Sequence, residues 1–135
     1  MTRTMPMSSV LIVDDSAALA EDLREVLESE GFACSLAPDA DEALRLLRRE
    51  PSLPDLILAD LRVPGMPVAE LLRIVRAIPE WSRIAFVLMT DGTEGDVPGG
   101  VLVDGALRKP FGVERLLQAL RAAVEHRHLD ATSQR

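Results

Sequence analysis

An unbroken apolar run, Val10 to Val13, opens the stretch VLIVDDS at residues 10–16, and two aspartates and a serine follow it directly. A run that is apolar at every position is typical of a strand buried on both faces of a sheet. Apolar residues with helical spacing follow from Ala17 to Glu30, and Gly31 comes where a helix C-terminus favours glycine. The stretch therefore predicts a buried strand that leads through DDS into a helix.

The same alternation of short apolar runs and longer helical patterns recurs along the rest of the chain. Four further strands are predicted at Phe32–Ala37, Leu56–Ala59, Ala85–Met89 and Ala106–Arg108. Three further helices are predicted at Ala40–Glu50, Val68–Ala77 and Val113–His126. Strands that alternate with helices form parallel sheets covered on both sides. The predicted fold class is α/β, a doubly wound five-stranded parallel sheet.

The composition indicates one globular domain. The chain has 135 residues, of which 47% are hydrophobic and 27% are charged, proportions that are typical of a folded domain and unlike a disordered or fibrous chain. We expect an N-terminal arm at residues 1–8, a folded domain at 9–128 and a C-terminal tail at 129–135, with no separate output domain.

Charge and hydropathy exclude several classes of partner. The net charge of −7 disfavours binding to the phosphate backbone of nucleic acids. No apolar run reaches the roughly 18 residues of a membrane span, and the first residues lack the apolar core of a signal peptide, so we expect a cytoplasmic protein without membrane contact. The single cysteine, Cys34, is predicted to be a small core residue without chemistry.

Reactive side chains follow four of the five predicted strands. They are Asp14 and Asp15 after the first strand, Asp60 after the third, Thr90 after the fourth and Lys109, the only lysine, after the fifth. Each alone is as well explained as a helix cap or turn residue, but ligands of parallel sheets bind beyond the carboxyl ends of the strands. The flavodoxin-like strand order 2-1-3-4-5 places these four strands side by side. The residues therefore predict one shared site.

The predicted chemistry of this site follows from its charges. Three carboxylates close together repel one another, and Mg²⁺ is a natural neutraliser because it prefers oxygen ligands. Asp14, Asp15 and Asp60 are therefore predicted to bind Mg²⁺. A carboxylate nucleophile and Mg²⁺, with a hydroxyl at Thr90 and an ammonium at Lys109, suit the transfer of a phosphoryl group.

Five motifs occur in the order of a known family. They are VLIVDDS at 10–16, GF at 31–32, PDLILADLRVPGM at 54–66, LMT ending at Thr90 and KPF at 109–111. In these motifs residues 8–127 resemble a bacterial two-component response-regulator receiver domain, of the stand-alone kind similar to chemotaxis regulators. The resemblance implies that Asp60 accepts a phosphoryl group from a sensor histidine kinase or phosphotransfer protein. It further implies a downstream protein target and at most a weak homodimer.

The resemblance also assigns roles within the site. Asp15 and Asp60 would ligate Mg²⁺ together with the backbone carbonyl of Arg62, and Asp14 would act partly through water. Lys109 would contact the phosphoryl oxygens, and Thr90 would move to hydrogen-bond one of them. The chain would then be a signalling phosphoacceptor that promotes only its own phosphorylation and dephosphorylation, and not an enzyme with a separate substrate.

Four residues, at three places in the chain, depart from the family pattern. Ala106 stands where the family usually has tyrosine or phenylalanine, so the usual aromatic switch is missing. Asp91 follows Thr90 where a small residue is usual, and it adds a carboxylate beside a site for a phosphoryl dianion. Pro67 and Val68 replace the usual Asp-Gly after PGM but touch no ligand.

The interval between Thr90 and Lys109 is expected to lack a long helix. It contains Gly92, Gly95, Pro98, Gly99, Gly100 and Gly105. Each glycine inside a helix costs about 1 kcal/mol relative to alanine. We expect a fourth helix that is shortened or irregular, with at most one or two turns near Pro98–Val103 and a mobile loop at Asp91–Asp96.

Three alternative functions are considered beside the leading one. A degenerate receiver would keep the acid cluster but act as a phosphorylation-independent scaffold for protein interaction, which Ala106 and Asp91 favour. A phosphatase of the haloacid-dehalogenase type would need a second acid two residues after its nucleophile, where this chain has Arg62. A flavin-binding module would need a phosphate loop rich in hydroxyls and glycine after the first strand, where this chain has DDS.

Overall fold

The computed structural model describes residues 8–49, 52–91 and 103–133, with side chains described as far as residue 128. Within these ranges the strands are β1 (Ser9–Val13), β2 (Ala33–Ala37), β3 (Leu56–Asp60), β4 (Ala85–Thr90) and β5 (Gly105–Arg108), and the helices are α1 (Ala17–Ser29), α2 (Ala40–Arg49), α3 (Val68–Ala77) and α4 (Val113–Ser133). The five strands form one parallel sheet in the order β2-β1-β3-β4-β5. The predicted fold class and strand order are therefore confirmed.

Successive strand residues point to opposite faces of the sheet, and helices cover both faces. Leu11, Ile57 and Phe86 lie in an apolar cluster whose helical members come from α2 and α3. Val10, Leu58 and Val87 lie in a second cluster, which α1 and α4 complete. Both faces of the central strands are consequently buried, which explains why these runs carry no polar alternation.

The two ends of α1 are set by local hydrogen bonds. At its start, the Ser16 hydroxyl accepts a hydrogen bond from Leu19 N at 3.2 Å. At its end, Gly31 N donates to the Glu28 carbonyl at 3.1 Å and Phe32 N donates to the Leu27 carbonyl at 3.0 Å, and Gly31 has a φ of +96°. This pair of bonds is the Schellman motif. Phe32 thus belongs to the turn, and β2 begins one residue later than predicted.

The turn after β3 packs against the start of α2. Asp39 caps α2, since its Oδ1 accepts from Glu42 N at 2.7 Å, as the D-x-x-E spacing indicates. Gly65, with a φ of +101°, comes so close that a Cβ there would lie 3.3 Å from the Asp41 carboxylate. The positive φ favours glycine at this turn, and a larger residue would also require the Asp41 side chain to shift.

Helix α4 is longer than the sequence analysis predicted. It continues to Ser133, beyond the predicted end at His126 and into the predicted tail at 129–135. The prediction of a loose tail is therefore wrong for residues 129–133, which are helical. The helix continues because no glycine or proline follows Gly112 to interrupt it. Residues 1–7 of the predicted arm and most of the predicted irregular segment, residues 92–102, lie outside the described residues.

The residue before β5 is anchored by a buried ionic cluster. The Asp104 carboxylate has no exposed surface, and its Oδ2 accepts from Arg76 Nη2 and from Phe86 N, both at 2.9 Å. Its Oδ1 lies 2.7 Å from His126 Nδ1 and accepts from Arg127 Nε at 3.1 Å. One carboxylate thereby joins α3, β4 and α4 at the end of the sheet where the strands begin.

Cys34 lies on the edge strand β2 and is half-buried. Burial raises the pKa of its thiol to about 11. The negative charge of Glu28 also raises this pKa, and the positive charge of Arg24 lowers it. A thiol with a raised pKa is mostly protonated at neutral pH, and the Cys34 side chain packs against the second apolar cluster. Among the described residues, no helix has the length and apolar character needed to cross a membrane.

Candidate functional site

Three carboxylates meet where β1 and β3 end. Asp14 and Asp15 follow β1, and Asp60 is the last residue of β3. The pairing of Val13 with Ala59 brings the two strand ends to the same level, so one oxygen from each carboxylate lies within 4.8 Å of the others. The structure thus brings together the three acids that the sequence analysis grouped.

Asp14 is the buried member of this cluster. Its side chain is 1% exposed, and its Oδ1 accepts a hydrogen bond from Ser16 N at 2.8 Å. Its Oδ2 is buried without a hydrogen-bond partner among the described residues, and Lys109 Nζ lies 3.7 Å away. Buried carboxylate oxygens usually have a hydrogen-bond or ionic partner, and a bound cation that prefers oxygen ligands would supply one to Asp14 Oδ2.

Asp60 is held between the chain that follows it and the lysine after β5. Its Oδ1 accepts from Arg62 N at 3.1 Å, and its Oδ2 accepts from Lys109 Nζ at 3.1 Å. The Asp60 side chain is 17% exposed, against 1% for Asp14. Of these two acids, Asp60 is therefore the one whose carboxylate a reactant can reach from solvent.

Burial raises the pKa of the Asp14 carboxyl above its usual value. The Ser16 N–H and the Lys109 ammonium oppose the rise, whereas the charges of Asp60 and Asp15 add to it. Because the pKa is higher in the folded state than in the unfolded state, the folded state binds more protons between the two values. The free energy of unfolding consequently falls as the pH rises through this window, and the loss is complete above it.

Asp14→Asn is therefore expected to stabilise the protein at pH 7 when divalent cations are removed by chelation. The amide oxygen can still accept from Ser16 N, while the buried negative charge is gone. We expect the melting temperature to rise by a few degrees at pH 7 and to change little at about pH 3, below both pKa values. Thermal unfolding followed by circular dichroism at the two pH values measures both effects.

The matched control for this prediction is Asp22→Asn, which neutralises an exposed acid on α1. Its effect on the free energy of unfolding is expected to stay within about 0.5 kcal/mol. If Asp14→Asn lowered the melting temperature at pH 7 as much as at low pH, the buried charge would not be the source of the cost.

Thr90 and Lys109 lie beside the three acids. Thr90 ends β4, and its carbonyl accepts from Lys109 N at 2.6 Å, so the residue after β5 is tied to the end of β4. Both residues line an open depression of about 730 Å³ whose wall also includes Ala106 and Phe111. Ala106 is exposed there, at the position where an aromatic side chain is usual in the family that the sequence resembles.

The sequence analysis missed one contact at the site. The Arg62 side chain lies near Asp91, with Nη1 at 3.8 Å from Asp91 Oδ2. The sequence analysis assigned no role to the Arg62 side chain at this site and treated Asp91 only as an unfavourable extra charge. The adjacency of β3 and β4 in the predicted strand order could have indicated this pair, since each residue lies just beyond the end of its strand.

All the predicted site residues therefore lie at one edge of the sheet. Asp14, Asp15 and Asp60 form the cluster, Lys109 contacts two of them, and Thr90 ends the adjacent strand. Arg62 follows Asp60 in the turn after β3. The individual roles assigned to these residues stay predictions.

Comparison with known proteins identifies the family. A sequence profile described as the response regulator receiver domain matches residues 10–121. The DNA-binding response regulator MtrA of Mycobacterium tuberculosis is 38% identical over 116 residues, which make up 84% of this chain and 49% of that protein. The chain spans about half the length of the MtrA proteins that it matches.

Solved structures show the same fold. Chemotaxis response regulator CheY4 of Vibrio cholerae superposes with a TM-score of 0.79 at 28% identity, over 87% of this chain and 99% of that one. The receiver domain of sensor histidine kinase PA1611 from Pseudomonas aeruginosa, with a magnesium ion coordinated in its active-site cleft, superposes with a TM-score of 0.77 at 24% identity, over 89% and 99% of the two chains. The profile match runs from β1 into α4 and includes all five strands. The chain therefore belongs to the response regulator receiver domain family.

Proposed function

We propose that this chain is a phosphoacceptor in two-component phosphorelay signalling, in which Asp60 takes a phosphoryl group from a phosphohistidine. The donor would be a sensor histidine kinase or a phosphotransfer protein. The observation that carries the proposal is the position of Asp60, partly exposed, within a cluster of three carboxylates and 3.1 Å from Lys109 Nζ. Such an arrangement positions a carboxylate nucleophile and offsets charge, which are the main requirements of phosphoryl transfer.

The residues of the cluster fit a bound Mg²⁺. All available ligands are oxygens, and the buried Oδ2 of Asp14 has no hydrogen-bond partner among the described residues. Asp15 and Asp60 are proposed as direct ligands together with the Arg62 carbonyl, and Asp14 as a ligand partly through water. Bound Mg²⁺ supplies positive charge that offsets both the carboxylates and the phosphoryl oxygens.

The transfer step makes one bond and breaks one. An oxygen of the Asp60 carboxylate attacks phosphorus, the phosphorus–nitrogen bond to the donor histidine breaks, and the imidazole leaves with the bonding electrons and takes a proton from water. Lys109 already contacts the Asp60 carboxylate, so its ammonium is placed to neutralise the phosphoryl oxygens as the acyl phosphate forms. Thr90, at the end of the neighbouring strand, donates its hydroxyl hydrogen to one of these oxygens.

The experiment that tests the proposal is phosphorylation of the purified chain by acetyl phosphate, followed by intact-mass spectrometry. We expect the mass of one phosphoryl group to be gained with Mg²⁺ present and little or none after chelation. A chain that gains no phosphoryl mass with Mg²⁺ would instead support the degenerate receiver, a scaffold that works without phosphorylation and that the exposed Ala106 and the acidic Asp91 favour.

Asp15→Asn is expected to weaken Mg²⁺ binding about tenfold or more, because it removes the charge of a proposed direct ligand. Asp15 is exposed, so the substitution should leave the fold intact. Isothermal titration calorimetry measures the affinity, with Asp22→Asn as a control for the loss of one acidic charge. Equal Mg²⁺ affinity in Asp15→Asn and the wild type would refute the proposed ligand set.

The proposed partners are proteins. MtrA is by name a DNA-binding regulator, but this chain matches only about half of it, and its own net charge is −7. We propose that the chain contacts no nucleic acid or membrane and passes its signal to a downstream protein, as a monomer or a weak homodimer.

A further inference from the structure

The Asp91 carboxylate is out of place beside a site that receives a phosphoryl dianion. Asp91 directly follows Thr90, and Thr90 ends the strand next to Asp60. It adds a further carboxylate beside the cluster of Asp14, Asp15 and Asp60. A negative charge in this position opposes the approach of an anionic phosphodonor.

Arg62 lies in the turn after β3, at the same edge of the sheet as Asp91. Its N–H donates to Asp60 Oδ1 at 3.1 Å, which fixes its backbone next to the acceptor. The N–H of the preceding residue, Leu61, donates to the Met89 carbonyl at 2.9 Å, which fixes the turn against the end of β4. The Arg62 guanidinium then reaches Asp91, with a distance of 3.8 Å between Nη1 and Oδ2.

We propose that Arg62 is a positioning residue for Asp91. The ion pair holds the Asp91 carboxylate on the Arg62 side of the site and offsets its charge, so that Asp60 can be phosphorylated although a carboxylate follows Thr90. The position of Asp91 is inferred from the contact between the two side chains. The effect on phosphorylation rests on the proposed function.

The pair is solvent-exposed, with 63% of the Arg62 side chain and 46% of the Asp91 side chain accessible. Exposed ion pairs have small interaction energies, so the effects are modest, but their signs are distinctive. Loss of the arginine charge makes the site more negative. It therefore strengthens the binding of a cation and slows the reaction with an anion, a combination that loosening of the fold would not produce.

A double-mutant cycle of Arg62→Gln, Asp91→Asn and the combined variant tests the proposal. We expect Arg62→Gln to tighten Mg²⁺ binding about two- to fivefold by calorimetry and to slow phosphorylation by acetyl phosphate about two- to fivefold by intact mass. In the Asp91→Asn background the same arginine change should have less than about half of this effect, because the arginine acts through Asp91.

The matched control is Arg24→Gln, which removes an arginine of another exposed pair, that with Glu21. Arg24 lies near Cys34. Cys34 pairs with Val10 at the start of β1, whereas Asp14 and Asp15 follow the other end of β1. Neither Mg²⁺ affinity nor phosphorylation rate should change in this variant.

The outcomes separate this inference from the proposed function. An equal effect of Arg62→Gln with and without the Asp91 carboxylate would overturn the inference alone, as would changes of Mg²⁺ affinity and rate in the same direction. A wild-type chain that binds Mg²⁺ but gains no phosphoryl mass would overturn the proposed function, while the Mg²⁺ cycle would still decide whether Arg62 acts through Asp91. Absence of both activities in the wild type would overturn both.

Discussion

Asp60→Asn is expected to abolish phosphorylation of the chain by acetyl phosphate. An amide oxygen is a far weaker nucleophile than a carboxylate, whereas the similar shape of asparagine allows its oxygen to keep one of the contacts with Lys109 Nζ and Arg62 N. The fold should therefore survive, which circular dichroism would verify. Intact-mass spectrometry should detect no gain of phosphoryl mass under conditions that label the wild type fully.

Two neighbouring acids are the alternative acceptors to consider, and a variant of one of them serves as the control. Asp91→Asn removes a carboxylate from the same edge of the sheet and should keep, or moderately increase, labelling. Asp14, with a side chain only 1% exposed, cannot meet a donor from solvent. Should Asp60→Asn still gain a phosphoryl group, the acceptor would lie elsewhere, and peptide mapping would examine Asp91 first.

The fold could be predicted because its core leaves a simple pattern. β3 and β4 are buried on both faces, so they appear in the sequence as unbroken apolar runs, and helix α3 between them carries apolar residues on one side. The errors fall at the element ends. Ser9 joins β1 through the hydrogen bond that its N–H donates to Asp55 Oδ2, a contact between residues 46 positions apart that no local pattern contains.

The acid cluster could also be predicted, because it depends only on strand order and on which residue ends each strand. Strand order could also have indicated that Arg62 and Asp91 are neighbours, but not which contacts their side chains make. The Arg62 side chain reaches Asp91 from the turn after β3, and its direction depends on rotamers that the sequence does not specify. No pattern in the sequence singles out Asp104, yet its carboxylate accepts hydrogen bonds from three separate elements.

Replacing the Asp104 carboxylate by an amide changes the shape of the side chain little but should lower the free energy of unfolding strongly. Its carboxylate is fully buried, and the Arg76 and Arg127 side chains beside it are 10% and 11% exposed. Removing one partner of a buried ion pair leaves charge in a medium of low dielectric constant, which costs about 3–5 kcal/mol. The His126 side chain, at 57% exposure, is well solvated and contributes less.

Asp104→Asn is accordingly expected to lower the free energy of unfolding by about 3 kcal/mol, which for a domain of this size corresponds to roughly 10 °C in melting temperature. The substitution conserves volume, so a cavity cannot explain the loss, and the amide nitrogen would face donors where the carboxylate oxygens now accept. Chemical denaturation followed by circular dichroism measures the change, with Asp22→Asn as the control for an exposed acid and His126→Ala for the exposed partner, each expected within about 1 kcal/mol. Because the cluster lies at the opposite end of the sheet from Asp60, Mg²⁺ affinity should change little at a temperature where the variant is folded. A loss no greater than that of Asp22→Asn would mean that the buried contacts of Asp104 add nothing net to stability.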